Sequence, residues 1–274
     1  MIRWVLGLDP AYERIPTLFK QSHTIDLVGW GTTVIEAVCD TVCAVKLQSA
    51  YFEAYGRHGM DAMATLITVS RKNKLKVIMD AKRGDIGETA NAYAAAYLAD
   101  TGPYSRDFVS DYLTVNPLMG DDCLDAFVSA AITHQKGLFV LLETSNPGSK
   151  MILTQQTHDG NCVADKIADY IQSVHDSLNL NGELGPVGVV VGATHTNGHL
   201  WRQKLPNSVF LMPGIGPQGG SMASVNACLR PDGHGVWAPL SRGLTNAALD
   251  VPTSDAFIAI VRANLQVYQT TQPR

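Results

Sequence analysis

The chain has 274 residues, 46% hydrophobic and 17% charged, with a formal net charge of −4 and a pI near 6.0. That is ample apolar material for a globular core, and the acidic balance argues against general polyanion binding, so a phosphate would have to be met locally. The start, Met1 to Asp9, is too short and too soon charged for a signal peptide, and no apolar run approaches the roughly 20 residues of a membrane span. The five cysteines (Cys39, Cys43, Cys123, Cys162 and Cys228) form no CxxC pair, which suits reduced thiols and a cytoplasmic location.

In chain order, apolar runs predict strands near residues 2–8, 42–46, 75–80, 110–115, 137–142, 187–191, 208–212 and 234–238. Helical patterns fall between them, near 31–39, 58–72, 88–99, 121–133, 161–178, 195–203, 219–229 and 254–268. Eight strand–helix alternations imply parallel pairing and a single (β/α)8 barrel spanning 1–274, with an open doubly wound sheet as the competing architecture. The segment 143–160, with Pro147, Gly148 and Gly160, reads as the longest loop.

In such a barrel the functional residues sit at the C-terminal strand ends. Asp9 would end the first strand, Lys46 the second, and Asp80 and Lys82 the third. Asn116, Thr144 with Ser145, Gly192, Pro213 with Gly214, and Arg242 follow the remaining strands in order. The stretch Asp80-Ala81-Lys82-Arg83-Gly84-Asp85-Ile86 places acid, base and acid where a strand gives way to a helix. In an extended segment Asp80 and Lys82 would share one side, and Gly84 would let the chain turn before Asp85. Taken alone, a DxKxxD string could equally be a solvated loop.

The run Gly214-Ile215-Gly216-Pro217-Gln218-Gly219 spells GxGxxG, but it follows the seventh strand rather than the first, which rules out a dinucleotide fold. As a phosphate loop it fits better, with glycine amides, a helix starting near Gly219, and the Arg242 guanidinium after the next strand. His195 and His199 at i, i+4 in a helical stretch lack a third ligand for zinc. His58, His134 and His175 read as surface or cap residues, and the basic run 71–76 as a solvated helix end rather than a nucleic-acid contact.

With Asp80-x-Lys82-x-x-Asp85-Ile86 on the third strand, Lys46 on the second, Asp9 on the first and the 213–220 glycine loop, the chain resembles the orotidine 5'-phosphate decarboxylase family over nearly its whole length. Gly7-Leu8-Asp9-Pro10, Asn116-Pro117-Leu118-Met119-Gly120 and Thr144-Ser145-Asn146-Pro147-Gly148 look like its longer, mainly bacterial branch. The resemblance implies conversion of orotidine 5'-monophosphate to uridine 5'-monophosphate and carbon dioxide in pyrimidine biosynthesis, without metal or other cofactor. It makes Lys46, Asp80, Lys82 and Asp85 catalytic, with Lys82 the proton donor to C6. It assigns Asp9 and Lys46 to the ribose, Ser145 to the pyrimidine, and Gln218 and Arg242 to the phosphate, which the amides of Gly214 and Gly216 would also meet. Residues matching Asp85 and Thr89 enter from a neighbouring subunit in that family, which implies a homodimer with shared sites.

The nearest rivals are magnesium-dependent sugar-phosphate decarboxylases and aldolases of the same barrel superfamily. They resemble this chain in the DxKxxD signature but use an acid at the second strand, where Lys46 stands here. An ammonium cannot ligate a cation. A non-catalytic nucleotide binder would need the 214–220 loop and Arg242, yet not Asp80 and Lys82. Pro239-Leu240 departs from the more polar pair expected in the bacterial branch.

Overall fold

Among the residues described by this computed structural model (2–21, 24–195, 197–216, 219–246 and 249–270), eight parallel strands close in sequence order. They are β1 (Arg3–Leu8), β2 (Ala44–Gln48), β3 (Lys76–Arg83), β4 (Tyr112–Val115), β5 (Gly137–Glu143), β6 (Val187–Val191), β7 (Phe210–Leu211) and β8 (Val236–Leu240). The helices are α1 (Leu27–Val38), α2 (Ser49–Glu53), α3 (Gly56–Lys72), α4 (Gly87–Leu98), α5 (Asp121–Thr133), α6 (Lys150–Leu153), α7 (Val163–Ser177), α8 (Gly198–Lys204), α9 (Met222–Asn226), α10 (Arg242–Thr245) and α11 (Ser254–Thr270). The barrel strands read as continuous apolar runs because both faces are covered. In β6 and β8 every residue is buried. Short contacts group the chain into two units, one holding Trp4–Ala81 with the chain from Pro239 onward, the other Lys82–Ala238 with the first residues.

In the first unit β1, β2 and β3 pair in register, with Lys46 opposite Gly7 on one side and Ile78 on the other. Helices α3 and α11 pack against α1. A Cβ on Gly31 of α1 would meet Leu66 of α3 at 2.6 Å, so glycine there sets how closely the two helices approach. Phe19 and Phe257 meet edge to face at 5.7 Å.

In the second unit Tyr112 stacks on Phe139 at 5.0 Å and meets Trp237 edge-on at 4.9 Å, filling the start of β4, β5 and β8 with aromatic volume. Arg202 of α8 is buried and makes no salt bridge among the described residues. Its guanidinium donates to the carbonyls of Cys228, Leu205, Ser208 and Gly235 at 2.8 to 2.9 Å and lies 3.8 Å over the Phe210 ring. Burial holds its pKa down at about 10, still charged at neutral pH.

Several sequence expectations need correction here. The segment 143–160 contains a 3-10 turn at Pro147–Ser149 and α6, so part of it is helical. The helix expected at 195–203 begins only at Gly198, so His195 and His199 do not share a helical face. The one expected at 219–229 shrinks to α9, capped by Ser221 Oγ on Ser224 N at 3.1 Å. His175 is a core residue, only 2% exposed, because Ala164, Ile167, Ala168 and Ile171 continue as one stripe of α7 into it.

Burial lowers the His175 pKa to about 4. The Val187 backbone lies nearby, but neither ring nitrogen makes a hydrogen bond among the described residues. A histidine depressed on folding stabilises the fold fully above about pH 6.5, and that stability is lost as pH falls toward 4. We expect about 3 kcal/mol to disappear over that window. Urea unfolding of wild type and His175→Phe across pH 4 to 7 checks this: wild type should lose about 3 kcal/mol relative to the variant as pH falls, and parallel curves would clear His175 of the loss.

Candidate active site

Asp9, Lys46 and Asp80 converge in the first unit. Lys46 Nζ donates to Asp80 Oδ2 at 2.8 Å and lies 3.9 Å from Asp9 Oδ1. Gln48, opposite Asp80 in the register, donates to the same Asp80 oxygen from Nε2 at 3.0 Å. Ser241 Oγ, just past β8, donates to Asp9 Oδ2 at 2.7 Å. Lys46 and Asp80 are each 7% exposed, so either charge alone would carry a desolvation penalty of several kcal/mol. Burial pulls the Lys46 ammonium down, but Asp80 and then Asp9 outweigh it, and its pKa stands above the ordinary lysine value. The cation is therefore fixed at neutral pH.

Asp9 Oδ1 is buried and makes no hydrogen bond among the described residues, which leaves it as an acceptor for a ligand hydroxyl. Lys46 lies in the middle of β2 rather than at its end, because the strand continues to Gln48. Gln48 and Ser241 are site neighbours that the sequence reading missed. For Gln48 a signal existed: two residues beyond Lys46 on a strand means the same face.

The second half of the DxKxxD stretch departs from a regular strand. β3 extends to Arg83, and Lys82 takes φ +49°, the left-handed region, so the alternation that would set Asp80 and Lys82 on one side stops there. Such a conformation costs a non-glycine residue about 1 kcal/mol and persists only when neighbours impose it. Lys82 N donates to Thr114 Oγ1 at 2.9 Å, and Asn116 N donates to Arg83 O at 2.8 Å. The Arg83 guanidinium lies over the Tyr93 and Tyr97 rings at 5.4 and 5.7 Å and donates to the Tyr97 hydroxyl at 3.2 Å.

The left-handed residue is thus Lys82, inside β3, and Gly84 takes no positive φ. Gly84 is required for a different reason: a Cβ there would stand 2.8 Å from the Asn116 carbonyl oxygen. Asp85, half-buried, accepts from Ile86 N at 2.8 Å, and Thr89 is exposed in the first turn of α4.

Past β7 the glycine loop has Gly214, Gly216 and Gly219 at φ 106°, 81° and 84°, a backbone only glycine adopts freely. Gly220 N donates to Gly214 O at 2.9 Å and closes the loop. Gln218 lies outside the described residues. The helix beyond the loop starts at Met222 and spans five residues, so the helix end expected near Gly219 is not there, and the Gly219 and Gly220 amides are spent on the Gly216 and Gly214 carbonyls. Arg242 opens α10, where a Cβ on its neighbour Gly243 would collide with the Tyr268 hydroxyl.

Ser145, after β5, is exposed and lies against Gly192, whose added Cβ would meet Ser145 Cβ at 2.9 Å. Behind it Glu143 accepts from Trp201 Nε1 at 2.8 Å and faces His195 Nδ1 at 3.3 Å, while His195 Nε2 reaches Thr144 O at 3.0 Å. His195 thus has a structural partner set that the zinc reading did not foresee.

A closed parallel eight-stranded barrel with an ammonium–carboxylate pair buried within β2 and β3 places the chain among the (β/α)8 barrels. The family model described as Orotidine 5'-phosphate decarboxylase / HUMPS family matches residues 31–226. A curated orotidine 5'-phosphate decarboxylase from Rhodopirellula baltica is 38% identical over 252 residues, which is 88% of this chain and 83% of that one. A solved chain from Streptomyces avermitilis is 29% identical with a TM-score of 0.80 over 98% of this chain and 90% of that one. Leishmania donovani UMP synthase is 32% identical with a TM-score of 0.73 over 95% of this chain, which spans about half (53%) of that longer one. The chain belongs to the orotidine 5'-phosphate decarboxylase / HUMPS family.

Proposed function

We propose that the chain decarboxylates orotidine 5'-monophosphate to uridine 5'-monophosphate in pyrimidine biosynthesis, as one catalytic domain acting in the cytoplasm. The observation that carries this over the magnesium-dependent reading is the Lys46 ammonium, buried against Asp80 on the strand where those enzymes would present an acid. In the reaction the bond between C6 and the carboxylate carbon breaks and leaves its electron pair on C6. Lys82 supplies the proton that C6 takes up, carbon dioxide departs, and the neutral amine is reprotonated from solvent. Asp80 stands beside the departing carboxylate, and Lys46 holds Asp80 in place as a fixed counter-charge.

Asp9, with its open Oδ1, and Lys46 take the ribose hydroxyls, and Ser145 takes the pyrimidine. Gly214, Gly216, Gln218 and Arg242 take the 5'-phosphate, whose binding energy is expressed in the transition state. Asp85 and Thr89 complete the site of a second copy, so the active form is a homodimer. Neither nucleic acid nor a membrane is a partner in this reading.

Turnover of orotidine 5'-monophosphate with excess chelator tests the assignment, and absence of uridine 5'-monophosphate would overturn it. Arg242→Ala should lower kcat/KM for the nucleotide by about a hundredfold, roughly the few kcal/mol of a lost charge-assisted contact, yet leave the bare nucleoside nearly unchanged. Equal losses for both substrates would place the phosphate elsewhere.

A further inference from the structure

We propose that Thr114 is a positioning residue for the reaction, acting through the backbone of Lys82; this rests on reading Lys82 as the proton donor. The strand β4 reads Tyr112-Leu113-Thr114-Val115, with Leu113 and Val115 fully buried and Thr114 only 1% exposed. A hydroxyl so deep in an apolar strand needs a purpose, because burying it unsatisfied costs free energy. It accepts the amide of Lys82 at 2.9 Å, so a buried side-chain oxygen holds that N–H. This is the residue at φ +49°, where the strand would otherwise continue regularly.

Just past the end of β4, Asn116 N donates to Arg83 O at 2.8 Å and ties the same stretch a second time. The Thr114 hydroxyl therefore grips the amide of the residue at which β3 departs from regular extended backbone. What it selects is the backbone conformation that aims the Lys82 side chain. Sequence reading did not single out Thr114, since threonine is ordinary in strands; the left-handed lysine opposite it gives it meaning.

The experiment compares Thr114→Val, of the same shape but lacking the acceptor, with Thr114→Ser, which keeps it. Single-turnover decarboxylation of orotidine 5'-monophosphate, Kd for uridine 5'-monophosphate and thermal midpoint are measured for each. Expected for Thr114→Val is a rate loss of at least tenfold with Kd within threefold, and for Thr114→Ser a rate within threefold of wild type. A Thr114→Val rate loss below tenfold overturns the proposal. So does a loss that Ser does not restore, or one in which Kd weakens in parallel. If the valine variant does not fold, Thr114→Cys, whose sulfur is a weak acceptor, carries the same criteria. Failure of the underlying reading looks different: wild type would not turn over, or Lys82→Ala would keep its rate.

Discussion

Lys82→Ala is expected to lose at least about a thousandfold in the single-turnover rate while folding normally, since a positioned proton donor contributes roughly that much. The side chain is exposed and makes no demand on the core, so activity and stability should separate cleanly. A variant retaining more than about a tenth of the wild-type rate, some 1.4 kcal/mol in barrier, would remove Lys82 from the proton-donor role. The backbone at φ +49° adds a second readout. Lys82→Gly should lose the same activity yet be more stable than Lys82→Ala by about 1 kcal/mol, because glycine enters the left-handed region without strain. Equal urea stabilities would mean that this backbone is not strained in solution.

Mixing two dead variants should restore activity if the site is shared between two copies. Asp85→Asn and Lys82→Ala homodimers are each expected to be nearly inactive. If Lys82 and Asp85 of a given site come from different chains, a mixed dimer formed by subunit exchange would hold one site with both lesions and one with neither. Random exchange makes about half the dimers mixed, so recovery should approach roughly a quarter of wild-type sites. Exchange confirmed by mass with no activity regained would mean that the site is built within one chain.

The alternation of β-branched runs and helical patterns was enough to read the barrel, since parallel strands covered on both faces leave an unmistakable apolar signature. That Asp9, Lys46 and Asp80 come together was legible, though Lys46 and Asp80 lie inside their strands rather than at the ends. What was not legible is where the backbone breaks rule. Nothing in Ala81-Lys82-Arg83-Gly84 says that the lysine, rather than the glycine, adopts the left-handed conformation; a hydroxyl 32 residues away is part of that choice. His175 could have been found, because it continues the i, i+3, i+4 stripe of α7. Its chemical reputation as a surface residue outweighed its position. The short helices after β2, β5 and β8 carry too few turns to leave a period.

The Arg202 brace has a consequence of its own for how the protein meets acid. Its guanidinium is held by four peptide carbonyls, with Asp232 acting on it only through charge, and peptide carbonyls do not titrate. No proton can dissolve that joint in the range where His175 turns against its own helix. Acid should therefore attack the second unit unevenly, loosening α7 while the turns gathered around α8, β7 and the start of β8 stay tied. Only arginine has the flat, multiply donating head that such a knot requires; a lysine would carry the same charge and leave most of the carbonyls loose.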